Sequence, residues 1–144
     1  MGIELMGKVL VSARIENLGD TFVASRGLLP MEQVHVVEVG DALVDTGATQ
    51  LSMPKRLIDQ LGLRATTMRR ARTSAGTVMV QVYEAVRLTV QGRDCLSDVA
   101  ELPDECPVLI GQLPLEQMDF VVDLRGQRLI GNPAHDGEQM IELY

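Results

Sequence analysis

The sequence predicts a mainly β fold with one or two short helices, and three observations carry that prediction. Apolar residues recur at every second position in Val9, Val11, Ala13 and Ile15, again in Val78, Val80 and Val82, and again in Val86, Leu88 and Val90. That is the period of half-buried strands. Turn-forming residues punctuate these runs, as at Asn17 to Asp20, Ser74 to Gly76 and Gln91-Gly92. The third observation is size: 144 residues, 46% hydrophobic and 23% charged, suit one domain with a real core. With 3% aromatic residues and no Trp, that core is built of Val, Leu, Ile and Met, and the eight Met residues read as core and interface fillers.

The first strand, Val9 to Ile15, alternates with Leu10, Ser12, Arg14 and Glu16 until Asn17 to Asp20 breaks it. Phe22 to Pro30, with Gly27 and Pro30, reads as a loop, and Val34 to Val39 as a second strand containing His35 as a packed or edge residue. Gly40-Asp41 is expected to turn this strand into the next, Ala42 to Val44. Pro54 suits the first turn of a helix whose apolar face is Leu57, Ile58 and Leu61 and whose stop is Gly62. Met68 to Tyr83 is a hairpin turning at Thr73-Ser74-Ala75-Gly76-Thr77. Its incoming arm holds Arg69, Arg70 and Arg72, which read either as solvated edge charges that discourage aggregation or as a site for acidic residues of a substrate or partner. Val86 to Val90 and Cys95 to Leu102 are two further strands joined at Gln91-Gly92-Arg93. After a loop from Pro103 to Pro107, Val108-Leu109-Ile110-Gly111 is a continuous apolar run of the fully buried kind. Phe120 to Asp123 and Arg128 to Ile130 make a last hairpin, ended by Asn132-Pro133.

One stretch carries chemistry. Ala42-Leu43-Val44-Asp45-Thr46-Gly47-Ala48-Thr49 delivers an acid at the end of an apolar strand, where the core gives way to a cleft. Gly47 leaves no side chain between its amide and the Asp45 carboxylate, and small Ala48 keeps the approach open. The plain alternative is an Asx-type turn in which Asp45 caps local amides. An Asp-Ser/Thr-Gly triplet alone arises in roughly one chain in ten of this size, and the preceding apolar run sharpens this to about one in a hundred.

Leu43 to Thr49 resembles the catalytic loop of the retroviral-type (retropepsin-like) aspartic peptidases, and Val108 to Gly111 resembles their second signature, an apolar run closed by glycine. The resemblance covers roughly Lys8 to Pro133. It implies a single-lobe, closed β barrel spanning residues 1–144, with a core of about 8–133 and a C-terminal tail from 134. It further implies an aspartic endopeptidase with Asp45 as the catalytic acid, supported by Thr46, Gly47 and Ala48. The flap would be Ser74, Ala75, Gly76 and Thr77, the cleft floor Ile110 and Gly111, and Leu113 to Met118 the short helix that follows. Viral members commonly carry Arg-Asn or Arg-Asp after this glycine; Gln112-Leu113 stand here. A chain with one Asp-Thr-Gly supplies only one carboxylate, so the resemblance requires a homodimer with Asp45 of each subunit meeting on the two-fold axis. The alternative is a non-catalytic dimeric module that keeps the fold to bind a peptide or ligand. Met140, Ile141, Leu143 and Tyr144 of the tail either dock at the dimer interface or fray.

Composition bounds the rest. A net charge of −7 and a pI near 4.7 argue against general affinity for nucleic acid or anionic membrane. Two isolated histidines, His35 and His135, without spaced Cys or carboxylate partners imply no metal, and no cofactor motif is present. The partners expected are a peptide or protein substrate and a second copy of the chain. Cys95 and Cys106 read as free thiols. Glu4 interrupts the N-terminal apolar stretch, so no signal peptide is read. Gly2 lacks the Ser or Thr of a myristoylation signal, since Met6 occupies that place, and the location expected is cytoplasmic.

Overall fold

The computed structural model describes residues 8–143. The readings placed on Gly2, Glu4, Met6 and Tyr144 lie outside the described residues. Strand β1 (Val9–Asn17) follows the alternation: Val9, Val11, Ala13 and Ile15 are buried while Leu10, Ser12 and Arg14 are exposed. Asn17 then opens a helix, α1 (Leu18–Ser25), where a loop was expected through Phe22 and beyond. The reason is a buried cap. Asn17 Oδ1 accepts the Asp20 amide at 3.1 Å, while its Nδ2 donates to Leu61 O at 2.8 Å and its own amide to His35 O at 3.0 Å. One residue thus starts the helix and pins it to two distant segments, to Leu61 by its side chain and to His35 by its main-chain amide.

Strand β2 (Val36–Val44) begins just after His35 and runs straight through Gly40-Asp41 instead of turning there. Pairing with β1 shifts between Val11↔Ala42 and Ala13↔Val39, leaving one extra residue on β2. A bulge absorbs Gly40-Asp41 because continuous pairing along β1 outweighs the local turn preference. Strand β3 (Leu51–Pro54) leads into α2 (Lys55–Gln60), which buries Leu57 and Ile58 and ends before Gly62 at φ +64°. Strands β4 (Ala65–Thr73) and β5 (Gly76–Val90) form the predicted hairpin. Here β5 is one strand across both runs that the alternation had divided, with a register shift between Tyr83 and Val86. Strand β6 (Arg93–Leu102), short β7 (Leu109–Ile110), helix α3 (Gln112–Gln117) and the hairpin β8 (Phe120–Asp123) with β9 (Arg128–Gly131) complete the order.

The larger sheet has the order β1-β2-β7-β3-β6-β5-β4, and β1 also pairs with β5. That extra pairing, Arg14↔Thr89 to Asn17↔Val86, closes six strands into a ring and leaves β4 as an appendage. Ile15, Leu51, Met53, Ile58, Leu61, Leu88, Ile110 and Met118 are fully buried within it, and few aromatics are needed. Beyond the ring, β4 and the start of β5 project as an arm on which every β4 residue but Ala71 is exposed. Among the described residues no helix is long and apolar enough to cross a membrane.

The described part of the tail is tied down by a polar hub that sequence spacing does not reveal. Asp119, buried and at φ +58°, accepts Asn132 Nδ2 on Oδ1 at 3.1 Å, and Met140 N on Oδ2 at 3.0 Å. Its Oδ2 also meets His135 Nδ1 at 2.6 Å, and Glu142 lies 2.8 Å from His135 Nε2. Arg93 stacks 4.8 Å over Phe120 and donates to the carbonyls of Met118, Asp119 and Gly137. A Cβ on Gly131 would strike the Gly137 carbonyl, so glycine there admits the tail. Met140, Ile141 and Leu143 keep their side chains exposed.

Two predictions follow from these contacts. Asn17→Ala is expected to lower unfolding free energy by about 2 kcal/mol, since it removes a cap and orphans a buried carbonyl; urea denaturation checks this, and Asn17→Asp should recover only the capping part. The hub gives stability a pH signature. Hydrogen bonding from His135 holds Asp119 down at about 2, and the same contact, with Glu142, raises His135 above its usual 6.5. The histidine's contribution is therefore complete below 6.5 and lost as pH rises through its raised value, while the aspartate's is present above 3.8 and lost as pH falls towards 2. The stability difference between wild type and His135→Phe is expected to be larger at mildly acidic than at alkaline pH.

Candidate active site

Strands β2 and β7 run parallel, with Leu43↔Leu109 and Val44↔Ile110 in register. Parallel neighbours end at the same side of a sheet, so Asp45 and Gly111 emerge together although far apart in sequence. Leu43 N donates to Val108 O at 2.8 Å and Asp45 N to Ile110 O at 2.9 Å, which carries the pairing to the first residue of the turn. Gly47 N donates to Asp45 Oδ1 at 3.0 Å, and Ala48 N to Asp45 O at 3.1 Å. The predicted approach of the Gly47 amide to the carboxylate is therefore present: a Cβ on Gly47 would sit 3.2 Å from Oδ1. Asp45 is partly exposed, Thr46 and Gly47 are exposed, and Asp45 Oδ2 accepts no hydrogen bond among the described residues.

The far side of the loop is clamped by α3. Gln112 N donates to Ala48 O at 2.8 Å and Leu113 N to Thr49 O at 2.9 Å. These are first-turn amides that lack partners within their own helix, and the loop carbonyls satisfy them. Gln112 takes the place of the charged residue found in viral members and uses its backbone on the loop, while its Nε2 turns to Glu116 at 3.1 Å. Main-chain bonds hold this loop, with no side-chain ion pair to it among the described residues. Gly111 itself has an ordinary φ of −84°. Its requirement is space: an added Cβ would lie 2.6 Å from Gln50 O and 2.7 Å from Gln50 N and Thr49 C. Behind it Ile110 is fully buried, so Ile110 belongs to the core beneath the loop while Gly111 touches the loop directly.

Ser74, Ala75, Gly76 and Thr77 sit at the exposed tip of the arm, apart from this cluster. Thr73 Oγ1 donates to Gly76 O at 2.8 Å and accepts Ala75 N at 3.2 Å, so the tip's hydrogen bonds stay within the hairpin. Gly76, at φ +114°, takes a conformation that favours glycine. Sequence reasoning passed over Gln50, whose Nε2 is buried next to the loop and has no partner among the described residues. It also passed over the clamp from Gln112 and Leu113, for which a glycine followed at once by a helix start was the available signal.

Other reactive groups stand elsewhere. Cys95 is a buried free thiol pushed up to about 11 by desolvation, and Cys106 is free and partly exposed. Tyr83 is raised to about 12 by burial and by its bond to Glu101 at 2.6 Å. Among the described residues no group of three or more His, Cys, Asp or Glu side chains is placed to hold a metal ion.

A closed mainly β ring with an aspartate-bearing turn locked against a glycine-ended strand is the single-lobe, retropepsin-like fold. A family model described as "gag-polyprotein putative aspartyl protease" matches residues 36–117, more than half of the chain and including the Asp45 turn, the arm and Gly111. The chain belongs to this retroviral-type aspartyl protease family, which supports a protease-type function on peptide substrates. No curated protein matches the chain at a significant level.

The clamp predicts a sharp contrast between glycines. Gly111→Ala is expected to cost about 2 kcal/mol through forced movement of the Gln50 backbone, whereas Gly40→Ala, whose Cβ meets nothing within 4 Å, should be near neutral. Urea midpoints of the two variants, measured beside wild type, check this.

Proposed function

We propose that the protein is an aspartic endopeptidase that works as a homodimer, with Asp45 of each subunit forming one catalytic pair. The observation that carries this reading is the Asp45 carboxylate itself. It stands at a strand end, oriented by the Gly47 amide through Oδ1 with Oδ2 unbonded among the described residues, inside the stretch that matches the protease family. The Oδ1 bond by itself is also that of a plain Asx turn; the family match over this stretch is what favours the catalytic reading.

Two such carboxylates side by side cannot both ionise cheaply, so the pair holds one proton between them, as is known of aspartic-protease dyads in general. The ionised member takes a proton from a water molecule, which attacks the scissile carbonyl. The protonated member hydrogen-bonds the carbonyl oxygen as it gains charge. The tetrahedral intermediate then collapses, a proton passes to the leaving amine, and no covalent enzyme intermediate forms. Thr46, exposed beside Asp45, would bond across the base of the dimer. The Gly47 amide keeps its carboxylate from rotating, and the arm tip from Ser74 to Thr77 serves as a flap that folds over the bound peptide and excludes water. Gly111, above buried Ile110, shapes the floor by letting the loop backbone sit close. In this reading each chain is one peptidase domain that supplies half of the site.

Mass-spectrometric scanning of a diverse peptide mixture from mildly acidic to neutral pH tests this. Wild type is expected to cleave, and Asp45→Asn to lose at least about a hundredfold in rate while remaining folded. Adding excess Asp45→Asn to dilute wild type should suppress activity through mixed dimers; unchanged activity would contradict a shared site. If a demonstrably folded dimeric wild type cuts nothing, the chain is a binding module of the same fold.

A further inference from the structure

Strand β4 is the end of the sheet, paired with β5 on one side and with no strand on the other among the described residues. Its exposure leaves a row of main-chain N–H and C=O groups open, the condition under which a sheet accepts an added strand. The turn fixes which groups these are. Thr73 and Gly76 face each other across the two-residue connection Ser74-Ala75. Bonds to β5 therefore fall at Thr73, Ala71, Arg69 and Thr67, and the N–H and C=O of Arg72, Arg70 and Met68 point outward. Thr67 O, which accepts Gln81 Nε2 of β5 at 2.9 Å, has the orientation this phase requires.

The charge on this edge is opposite to that of the protein. The chain carries −7, yet Arg69, Arg70 and Arg72 crowd into this strand, and no ion pair among the described residues includes them. Arg70 and Arg72, two residues apart, project on one face with Met79 and Thr77, their partners on β5. It is the face away from Val80 and Val82, the latter buried in the ring. A second β4 laid on this edge would set arginines near arginines, which opposes self-pairing. An extended acidic segment meets both demands, since its backbone fills the open bonds and carboxylates at alternate positions fall opposite Arg70 and Arg72.

We propose that the free edge of β4 is a docking site for an acidic, extended segment of a partner protein, added as a strand along Met68–Arg72 and held by carboxylates on Arg70 and Arg72. Docking on this edge does not depend on catalysis.

The test is a fluorescence-anisotropy titration of a short labelled peptide alternating glutamate and threonine into the full chain carrying Asp45→Asn, so that cleavage plays no part. The same composition with its glutamates in one block and a lysine–threonine alternation serve as comparisons. The alternating acidic peptide is expected to bind at least about tenfold more tightly than either. Arg70→Glu with Arg72→Glu should remove that preference. Met68→Pro, which takes away an outward N–H while leaving the hairpin bonds to β5 and all three arginines, should weaken binding about as much. Amide shifts by NMR in the chain with an unaltered arm should centre on Met68 to Arg72, which keeps the test valid if the proline variant misfolds. Equal affinity for the block peptide, or shifts spread over the surface, would reduce the site to diffuse charge attraction. Absence of binding would leave the arginines as guards of an edge strand. Either result overturns the proposal.

Discussion

The structure depends on one close contact, the meeting of the Gly111 main chain with the backbone of Thr49 and Gln50. There is no room for a methyl group between them. The contact lets α3 start directly over the Asp45 turn, so that Gln112 and Leu113 hold the carbonyls of Ala48 and Thr49 while Ile110 holds the Asp45 amide from the other side. The turn is thus bonded on both flanks by main chain. A carboxylate mounted on such a turn keeps its direction without spending side chains on the task; Thr46 is exposed, and Asp45 Oδ2 has no hydrogen-bond partner among the described residues.

Sheet topology supplies this contact. Because β2 and β7 are parallel, the ends of both strands reach the same margin of the ring, and β3 returns antiparallel beside β7 through Leu51↔Ile110. The turn between β2 and β3 therefore straddles the end of β7 and has to pass over Gly111. Ring closure through β1 and β5 fixes the other side, and the capping Asn17 sits where β1 leaves that closure. Burial drives the ring, while the site is shaped by what the ring leaves at its margin.

Much of this was legible because it is local. The alternation of Val9 to Ile15, the turn at Ser74-Ala75, the helix between Pro54 and Gly62 and the apolar run into Asp45 each carry their signal within a few residues, and each appears where expected. What was missed depends on distant partners. Helix α1 is built from Gly19, Thr21, Val23 and Ser25, poor helix formers without a clear apolar stripe, and it exists because Asn17 is bonded to Leu61 and His35. Gly40-Asp41 looks like a turn in isolation and becomes a bulge once β1 lies alongside. The Asp119–His135 hub joins residues from a helix end and the tail, and a left-handed aspartate gives little warning of it. At the site, the Asp45 turn and the Ile110-Gly111 run were both visible, but the steric reason for Gly111 appears only when the two backbones are seen together.

The long strand β5 belongs to two structures at once. From Val86 onward it is ring, paired with β1 and β6, and from Gly76 to Met79 it is exposed arm, paired with β4 alone. Nothing on the outer arm is needed to fill the core, so its side chains are under little obligation to the rest of the protein. Substitutions there are decoupled from folding, and a lineage is able to rewrite what the arm touches while the ring and the Asp45 turn stay unchanged. The arm short of its tip is in that sense the exchangeable part of the molecule, and surveys of natural variation should find its diversity concentrated between Thr66 and Arg72 rather than around Gly111.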